Sequence, residues 1–339
     1  MPDPIAVPTL SRRRFFGLSA TTAAAASTGL LSAAARAQAP DAPSAPPANA
    51  GHYHTRVGEL RVTLLNDGHF NFDPVYPSLG GNADADQVAQ ALDQFRLPAD
   101  GLSDIHAMLV RSADRTVLID AGSGDTFAPT AGKLIANLRA AGVQPADVTD
   151  ILVTHAHLDH IGGFTIPGTT DSAFPNAAVH IAQAEYDFWR SQPALKHSGM
   201  SEAMKQMVIQ IANNSLDHVQ DQLEFFDGAK EHELLPGFTA VPAAGHTPGH
   251  TAFLVHDGDQ QLLFVGDLIF MPPLLTRNPD WYVGFDSDQP AAAATRFALM
   301  DRIAADRLRI AGTHLPFPAF AQLTRNGGGF DYHPEPWRF

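Results

Sequence analysis

The segment 154–160, THAHLDH, places three histidines and one aspartate within seven positions. The apolar run ILV directly precedes it and predicts a buried strand, so these side chains follow a strand end. His155 and His157 alternate and can face one cation, whereas Asp159 and His160 can face a second. Four ligands cannot complete two coordination spheres. The cluster therefore predicts further metal ligands elsewhere in the chain.

Three candidates for these ligands each follow a predicted strand. His246 lies in GHTPGHT, Asp267 in FVGD and His314 in AGTH. Glycine one or two positions before each of them lets the backbone approach a metal closely. Any one of the three, alone, would more commonly be a surface or capping residue. Together with the upstream cluster they predict a two-metal site, for which zinc is the first choice and manganese, cobalt and iron stay open.

Strand and helix patterns occur in both halves of the chain. The segments 53–57 and 60–65 predict a hairpin, and the apolar spacing of Leu134, Ile135 and Leu138 predicts a helix. Further strand signals end near each candidate ligand. We expect an α/β fold with two sheets covered outside by helices, a four-layer αβ/βα sandwich, formed by one domain over residues 51–339.

The first fifty residues carry the pattern of an export signal. Arg12 and Arg13 precede an apolar, alanine-rich stretch, and small residues surround a cleavage point at 35–37. We expect a twin-arginine signal peptide over 1–37, a disordered linker over 38–50 and a periplasmic or secreted location. A chance basic start before a disordered tail is the alternative.

The amino-acid composition restricts the kinds of partner that the protein is expected to bind. The 339 residues carry 22 Lys+Arg against 36 Asp+Glu, a net charge of −14, which disfavours a nucleic-acid partner. No apolar run reaches the roughly 18 residues of a membrane span, so no membrane anchor is expected. The absence of cysteine excludes disulfides and thiolate metal sites.

H-x-H-x-D-H followed by a separate His, Asp and His resembles the metallo-β-lactamase superfamily, whose fold is the same four-layer sandwich. The resemblance covers essentially all of 51–339. Within the superfamily the chain is similar to methyl parathion hydrolase and related lactonases and esterases. The similar stretches are PTAGKLIANLRAAGVQP (129–145), THAHLDHIGG (154–163), FPNA (174–177), DFWRSQ (187–192), GHTPGHT (245–251) and GDLI (266–269).

The resemblance implies two metals that share one carboxylate. It assigns His155, His157 and His246 to one metal, Asp159, His160 and His314 to the other, and Asp267 to a bridge between them. It implies that a hydroxide held by both metals attacks the substrate, with Asp267 and Asp159 as the catalytic carboxylates.

Two residues indicate which branch of the superfamily chemistry applies. His157 stands where redox di-iron relatives carry glutamate, which favours hydrolysis. Asp267 counts against a β-lactamase, which commonly lacks a bridging carboxylate there. Asp120, at the end of a predicted core strand, is expected to orient a ligand histidine; a turn-capping role is the alternative.

Aromatic side chains are expected to line the substrate pocket: Phe127, Trp189, Phe270, Trp281 and Tyr282. The first two match pocket positions of the methyl parathion hydrolase family, with ordinary core packing as the alternative. The other three lie in the segment after Asp267. Segments 271–285 and 196–207 depart from that family, which leaves the natural substrate open.

The sequence therefore predicts an exported hydrolase of small neutral esters, lactones or phosphotriesters, in which an aromatic pocket seats an uncharged substrate. One alternative is an acyl-homoserine lactonase, which would quench quorum signals. Another is a non-catalytic metal-binding protein on the same scaffold. The resemblance also allows a homodimer.

Overall fold

The computed structural model describes residues 49–191, 195–196 and 198–338. The predicted signal peptide and nearly all of the predicted linker lie outside these residues. Asn49–Phe339 forms one compact unit. Within the described part of the chain, no helix is both long enough and apolar enough to cross a bilayer.

Fourteen strands are found in the described residues. They are β1 His52–Val57, β2 Leu60–Asn71, β3 Leu102–Arg111, β4 Thr116–Ile119, β5 Asp150–Leu152, β6 Ala178–Ala182, β7 Leu223–Phe226, β8 His232–Leu235, β9 Phe238–Pro242, β10 Thr251–Asp257, β11 Gln260–Phe264, β12 Arg309–Ala311, β13 Phe320–Asn326 and β14 Gly329–Pro334.

Eight α-helices accompany these strands in the same residues. They are α1 Val75–Ser78, α2 Ala85–Gln94, α3 Leu134–Ala140, α4 Leu158–Ile161, α5 Gln183–Arg190, α6 Glu202–His218, α7 Leu274–Arg277 and α8 Gln289–Asp306. Short 3-10 turns occur at Pro145–Asp147, Gly162–Phe164, Gln220–Gln222 and Gly266–Leu268.

The strands form two seven-stranded sheets, β1 to β7 in chain order and β14 to β8 in reverse chain order. Strands β4 to β7 run parallel to one another. In the second sheet β9 and β11 are both antiparallel to β10, and β12 is parallel to β11. The carboxyl ends of β9, β11 and β12 therefore lie at the same end of that sheet.

Alternation along the strands of the first sheet separates two cores. Leu64 and Ile119 face the second sheet and pack in a cluster with Phe253 and Leu263. Their neighbours in sequence, such as Leu65 and Leu118, pack on the other face with residues of α3 and α6. Because successive side chains in a strand point to opposite faces, both faces of this sheet are covered.

On the second sheet, α8 provides the outer layer through Leu299, Met300 and Ile303. The predicted four-layer sandwich is thereby confirmed. The structure also extends the prediction at β2, which continues past Leu65 to Asn71 through a bulge between Asn66 and Gly68. A bulge is not visible as a hydrophobic pattern, since it shifts the alternation by one residue.

Candidate metal centre

The backbone after β5 presents the THAHLDH cluster from a strand end and a single helical turn. His155 and His157 lie in the connection, and α4 carries Asp159 and His160. His246, Asp267 and His314 come from the loops that follow β9, β11 and β12, and they meet the cluster from the other sheet. All seven side chains are buried; Asp159 is the most exposed, at 8%.

His155, His157 and His246 form the first donor group, and one imidazole nitrogen of each converges on one point. His157 Nδ1 lies 2.9 Å from His155 Nε2 and 2.9 Å from His246 Nε2, and the last two are 3.1 Å apart. Ligands about 2.0–2.1 Å from a tetrahedral zinc would be separated by roughly 3.3 Å. The triangle of nitrogens is therefore close to the size that one such ion needs.

Asp159, His160 and His314 form the second donor group, which surrounds the Asp267 carboxylate. Oδ1 lies 3.0 Å from His160 Nε2, and Oδ2 lies 3.1 Å from His314 Nε2. Asp159 Oδ2 completes the group, 3.4 Å from His314 Nε2. Asp267 Oδ2 is also 3.2 Å from His246 Nε2 in the first group. Asp267 thus reaches both groups, as a bridging carboxylate would.

Two buried atoms at this centre make no hydrogen bond: His160 Nε2 and Asp267 Oδ1. An unsatisfied buried polar atom is costly, so a native protein rarely keeps one without a function. The two atoms face each other between the groups. A divalent cation there would satisfy both, and the histidine and carboxylate donors match zinc and similar ions.

The outward ring nitrogens of three histidines are held by hydrogen bonds. His160 Nδ1 donates to Asp120 Oδ2 at 2.8 Å, as expected for Asp120. His246 Nδ1 donates to Asp286 Oδ1 at 2.8 Å, and His314 Nδ1 to the Asp104 carbonyl at 2.8 Å. Each bond places a proton on Nδ1 and directs Nε2 at the centre, the ring orientation in which an imidazole that has no proton on Nε2 would bind a metal.

Burial and neighbouring charges set the protonation at the centre. Burial lowers the pKa of His155 and His157 well below the usual value, and neighbouring histidines lower it further, so both rings stay neutral. Burial would also lower the pKa of His246, but bonds with Asp267 and Asp286 raise it to about 9. Burial opposes ionisation of Asp267, yet His160 and the other histidines hold its pKa well below normal.

His250 supports the centre from outside it. Its Nδ1 donates to the Ala243 carbonyl at 3.0 Å, and its Nε2 accepts from the Asp267 backbone N–H at 3.2 Å. Both ring nitrogens are therefore engaged with the backbone. This histidine fixes the loop that carries Asp267.

A small cavity opens beside the centre. It is lined by Phe70, Phe127, His157, Leu158, Asp159, Met204, Val208, Asp267, Phe270, Phe285 and His314. The charged residues of this lining, Asp159 and Asp267, both belong to the donor set. Around them the wall is apolar, and Phe270 stacks on the His314 ring at 4.6 Å.

The structure brings Phe127 and Phe270 to the cavity but places the other three predicted pocket aromatics elsewhere. Trp189 is fully buried, with its indole N–H donated to Glu185 Oε1 at 2.7 Å and its ring edge-on to His157. It supports a donor from behind. Trp281 packs in the small core beneath α1 and α2. The backbone N–H of Tyr282 donates to Asn82 there.

Glu185, Asp286 and Arg296 were not predicted from the sequence. All three are buried and their polar atoms contact the donor loops or each other. Their partners lie many positions away in the chain, so no local pattern marks them. Phe70 and Phe285 were missed as cavity residues for the same reason.

A model of the metallo-beta-lactamase superfamily matches residues 100–314, a span that contains all seven donors and more than half of the chain. The chain belongs to the metallo-β-lactamase superfamily. The resemblance to that superfamily is therefore confirmed, and the closer likeness to methyl parathion hydrolase stays a prediction.

Solved superfamily structures share the fold over nearly their whole length. AidC, a dizinc quorum-quenching lactonase in complex with a homoserine product, has a TM-score of 0.79 and 29% identity over 85% of this chain and 99% of its own. The hydrolase AbOPH has a TM-score of 0.77 and 24% identity over 86% and 100% of the two chains, and at that identity shows the fold alone.

Curated superfamily relatives match over shorter stretches. The probable metallo-hydrolase Rv2300c of Mycobacterium tuberculosis is 29% identical over 190 residues, 49% of this chain and 56% of that protein. An N-acyl homoserine lactonase of Bacillus sp. is 28% identical over 123 residues, 36% and 39% of the two. The chain thus spans about half the length, or less, of these relatives.

Proposed function

We propose that this superfamily member hydrolyses small neutral lactones and esters with two bound divalent metal ions, zinc first among them. The observation that carries the proposal is the position of the seven-donor centre at the wall of an apolar, aromatic cavity. The likeness to AidC, a dizinc lactonase, supports lactones as the leading substrate class. Acyl-homoserine lactones are the first members of that class to test.

Two metals bound at such a centre would lower the pKa of water towards about 7 and polarise the carbonyl oxygen under attack. The residues of this chain position the donors: Asp120 and Asp286 hold ligand rings in place. Asp159, whose carboxylate lines the cavity, is the side chain we assign to accept the proton released from the attacking water and to pass it to the leaving oxygen.

The cavity wall favours an uncharged acyl or aryl group. Phe70, Phe127 and Phe285 bring three rings to it, and Met204 and Val208 add aliphatic surface from α6. With no arginine or lysine among the described residues of the lining, a substrate carboxylate or phosphate monoester would lack a partner.

Phosphotriester hydrolysis is a second activity within the same proposal. Phe127 matches a pocket position of the methyl parathion hydrolase family and does line the cavity, which favours it. Trp189, the other matched position, is fully buried behind His157 and offers no surface to a substrate. We therefore expect phosphotriester turnover below lactone turnover.

The experiment is a substrate panel with metal-free protein reloaded with defined metals. An acyl-homoserine lactone, an aryl lactone, an aryl ester, methyl parathion and a cephalosporin are compared by initial rates with Zn²⁺, Mn²⁺ or Co²⁺. We expect metal-dependent turnover of lactones first. No turnover of any of the first four with any metal would contradict the proposal, and preference for the cephalosporin would overturn the substrate class.

Asp267→Ala separates an enzyme from a non-catalytic metal protein. It removes the carboxylate shared by both donor groups, so we expect kcat/KM to fall about 1000-fold, or ~4 kcal/mol, and metal content to fall below that of the wild type. Asp259→Ala, in the exposed turn before β11, is the matched control. Wild-type turnover in Asp267→Ala would exclude Asp267 from catalysis.

Export through the twin-arginine pathway stays a proposal that rests on Arg12 and Arg13. Replacing both by lysine is expected to keep the protein out of the periplasmic fraction of a bacterial host. An unchanged periplasmic share would exclude the pathway.

The homodimer likewise stays a prediction, which light scattering at defined concentrations would test.

A further inference from the structure

Arg296, on α8, is fully buried although it belongs to neither donor group. Its ionic partner is Asp286, also fully buried, with Arg296 Nη2 3.2 Å from Asp286 Oδ2. Burying a charged guanidinium is costly unless its N–H donors are satisfied. A buried arginine therefore needs hydrogen-bond acceptors close around it.

The guanidinium of Arg296 donates to four acceptors that belong to one chain segment, 268–286. Nε donates to the Leu268 carbonyl at 3.1 Å, and Nη1 to the carbonyls of Pro279 and Trp281 at 3.0 and 2.7 Å. Nη2 donates to Asp286. The segment starts one residue after Asp267 and also supplies Phe270 and Phe285 to the cavity wall.

Asp286 connects this network to a second donor. Its Oδ1 accepts from His246 Nδ1 at 2.8 Å, while its Oδ2 accepts from Arg296. The residue after Asp286 adds a backbone bond, from the Ser287 N–H to the His246 carbonyl at 2.8 Å. The orientation of the His246 ring therefore depends on a carboxylate that Arg296 holds in place.

We infer that Arg296 is a positioning residue that keeps the His246 ring and the Asp267 loop in register with each other and with the cavity wall. It does so through Asp286 on one side and the Leu268 carbonyl on the other. The inference rests on the proposed metal centre, but metal affinity tests it whatever the substrate proves to be.

A planar, forked group is required here because the four acceptors lie in different directions. Lysine would keep the charge but offers a compact ammonium, which cannot span Asp286 and three backbone carbonyls at once. Methionine would keep the apolar stem and remove every donor. The two substitutions therefore separate charge from geometry.

The experiment uses the full chain as Arg296→Met, Arg296→Lys, Asp286→Asn and the double variant Arg296→Met/Asp286→Asn. Arg302→Met is the matched control on the same helix, since Arg302 forms a half-exposed surface pair with Glu231. Zn²⁺ dissociation constants are measured by competition with a chromophoric chelator. Visible spectra of the Co²⁺-loaded proteins report the ligand geometry, and circular dichroism checks folding.

We expect Arg296→Met and Asp286→Asn each to weaken binding of at least one Zn²⁺ by about 10- to 100-fold and to change the Co²⁺ spectrum. Arg296→Lys should recover only part of that loss. The double variant should lose less affinity than the two single losses multiplied, because Arg296 and Asp286 share the path to His246. Arg302→Met should match the wild type.

Wild-type affinity and spectrum in a folded Arg296→Met would overturn the inference, and so would losses that multiply in the double variant. If Arg296→Met does not fold, Arg296→Lys decides alone: weaker Zn²⁺ binding than in the wild type supports the inference and wild-type binding overturns it. Absence of lactone turnover in the wild type would count against the proposed function and leave these metal measurements valid.

Discussion

At the scale of single residues, one buried carboxylate joins the two loops that carry the first donor group. Glu185, on α5, is fully buried. Its Oε1 accepts from the Ala156 N–H at 2.8 Å, between His155 and His157, and from the Trp189 indole. Its Oε2 accepts from the Thr247 hydroxyl at 2.6 Å and the Gly249 N–H at 3.0 Å, next to His246.

Glu185→Gln should therefore both destabilise the fold and weaken metal binding. An amide places an NH₂ group where two donors already point, so at least two buried donors lose their acceptor, at a cost of roughly 3 kcal/mol. Unfolding in urea and Zn²⁺ titration measure the two effects. Glu59→Gln, at an exposed turn, is the control and should stay within about 0.5 kcal/mol of the wild type. Equal stability of the two variants would show that the four bonds do not support the loops.

At the scale of secondary-structure elements, Asp150 ties together three parallel strands below the metal centre. It begins β5, pairs with both Arg115 beside β4 and His180 in β6, and accepts from Thr149. Burial raises the pKa of Asp150, but the bonds with His180, Thr149 and Arg115 outweigh it and lower the pKa to about 2.

This lowered pKa makes the contribution of Asp150 to stability pH-dependent. The folded-state value lies below the unfolded one, so the stabilisation is complete above about pH 4 and is lost as pH falls towards 2. A shift of nearly two units corresponds to about 2 kcal/mol. Asp150→Asn should thus cost about 2 kcal/mol at pH 7 and progressively less below pH 4. Urea unfolding of both proteins between pH 3 and 7 measures this, and a constant difference would contradict it.

At the scale of the whole molecule, the two sheets meet at the metal centre. His155, His157, Asp159 and His160 follow β5 of the first sheet, and His246, Asp267 and His314 follow strands of the second. Bound metals would therefore join the two sheets at the edge where these strands end. A ligand that binds only the folded state stabilises it by mass action.

Removing the metals should therefore lower the thermal stability of the whole unit. At free Zn²⁺ about 1000 times the Kd, each site contributes about 4 kcal/mol, which corresponds to roughly 8–16 °C in Tm. Calorimetry of chelator-treated and reloaded protein measures the shift. Zn²⁺ should restore the Tm, whereas Mg²⁺ should not, because Mg²⁺ prefers oxygen ligands in an octahedral arrangement. An unchanged Tm after complete metal removal would rule out this stabilising role.

The sequence by itself determined the candidate metal donors and the fold that presents them. Strand signals are local, and donors directly after strand ends are visible as short motifs such as FVGD and AGTH. The four-layer sandwich followed from the same strand and helix periodicity, since buried faces repeat at fixed intervals along each element. The seven residues that the structure brings together at the centre were all named from these motifs.

Only the tertiary structure decided what surrounds that set. Asp286 and Arg296 act on His246 across 40 and more positions, and Glu185 on Thr247 across 62. Trp189 and Trp281 are aromatic, as pocket residues commonly are, but they are packed away from the cavity. Hydrophobic patterns indicate that a side chain is buried, but they do not indicate which distant residue it packs against. Contacts between the two sheets exist only once both sheets have formed.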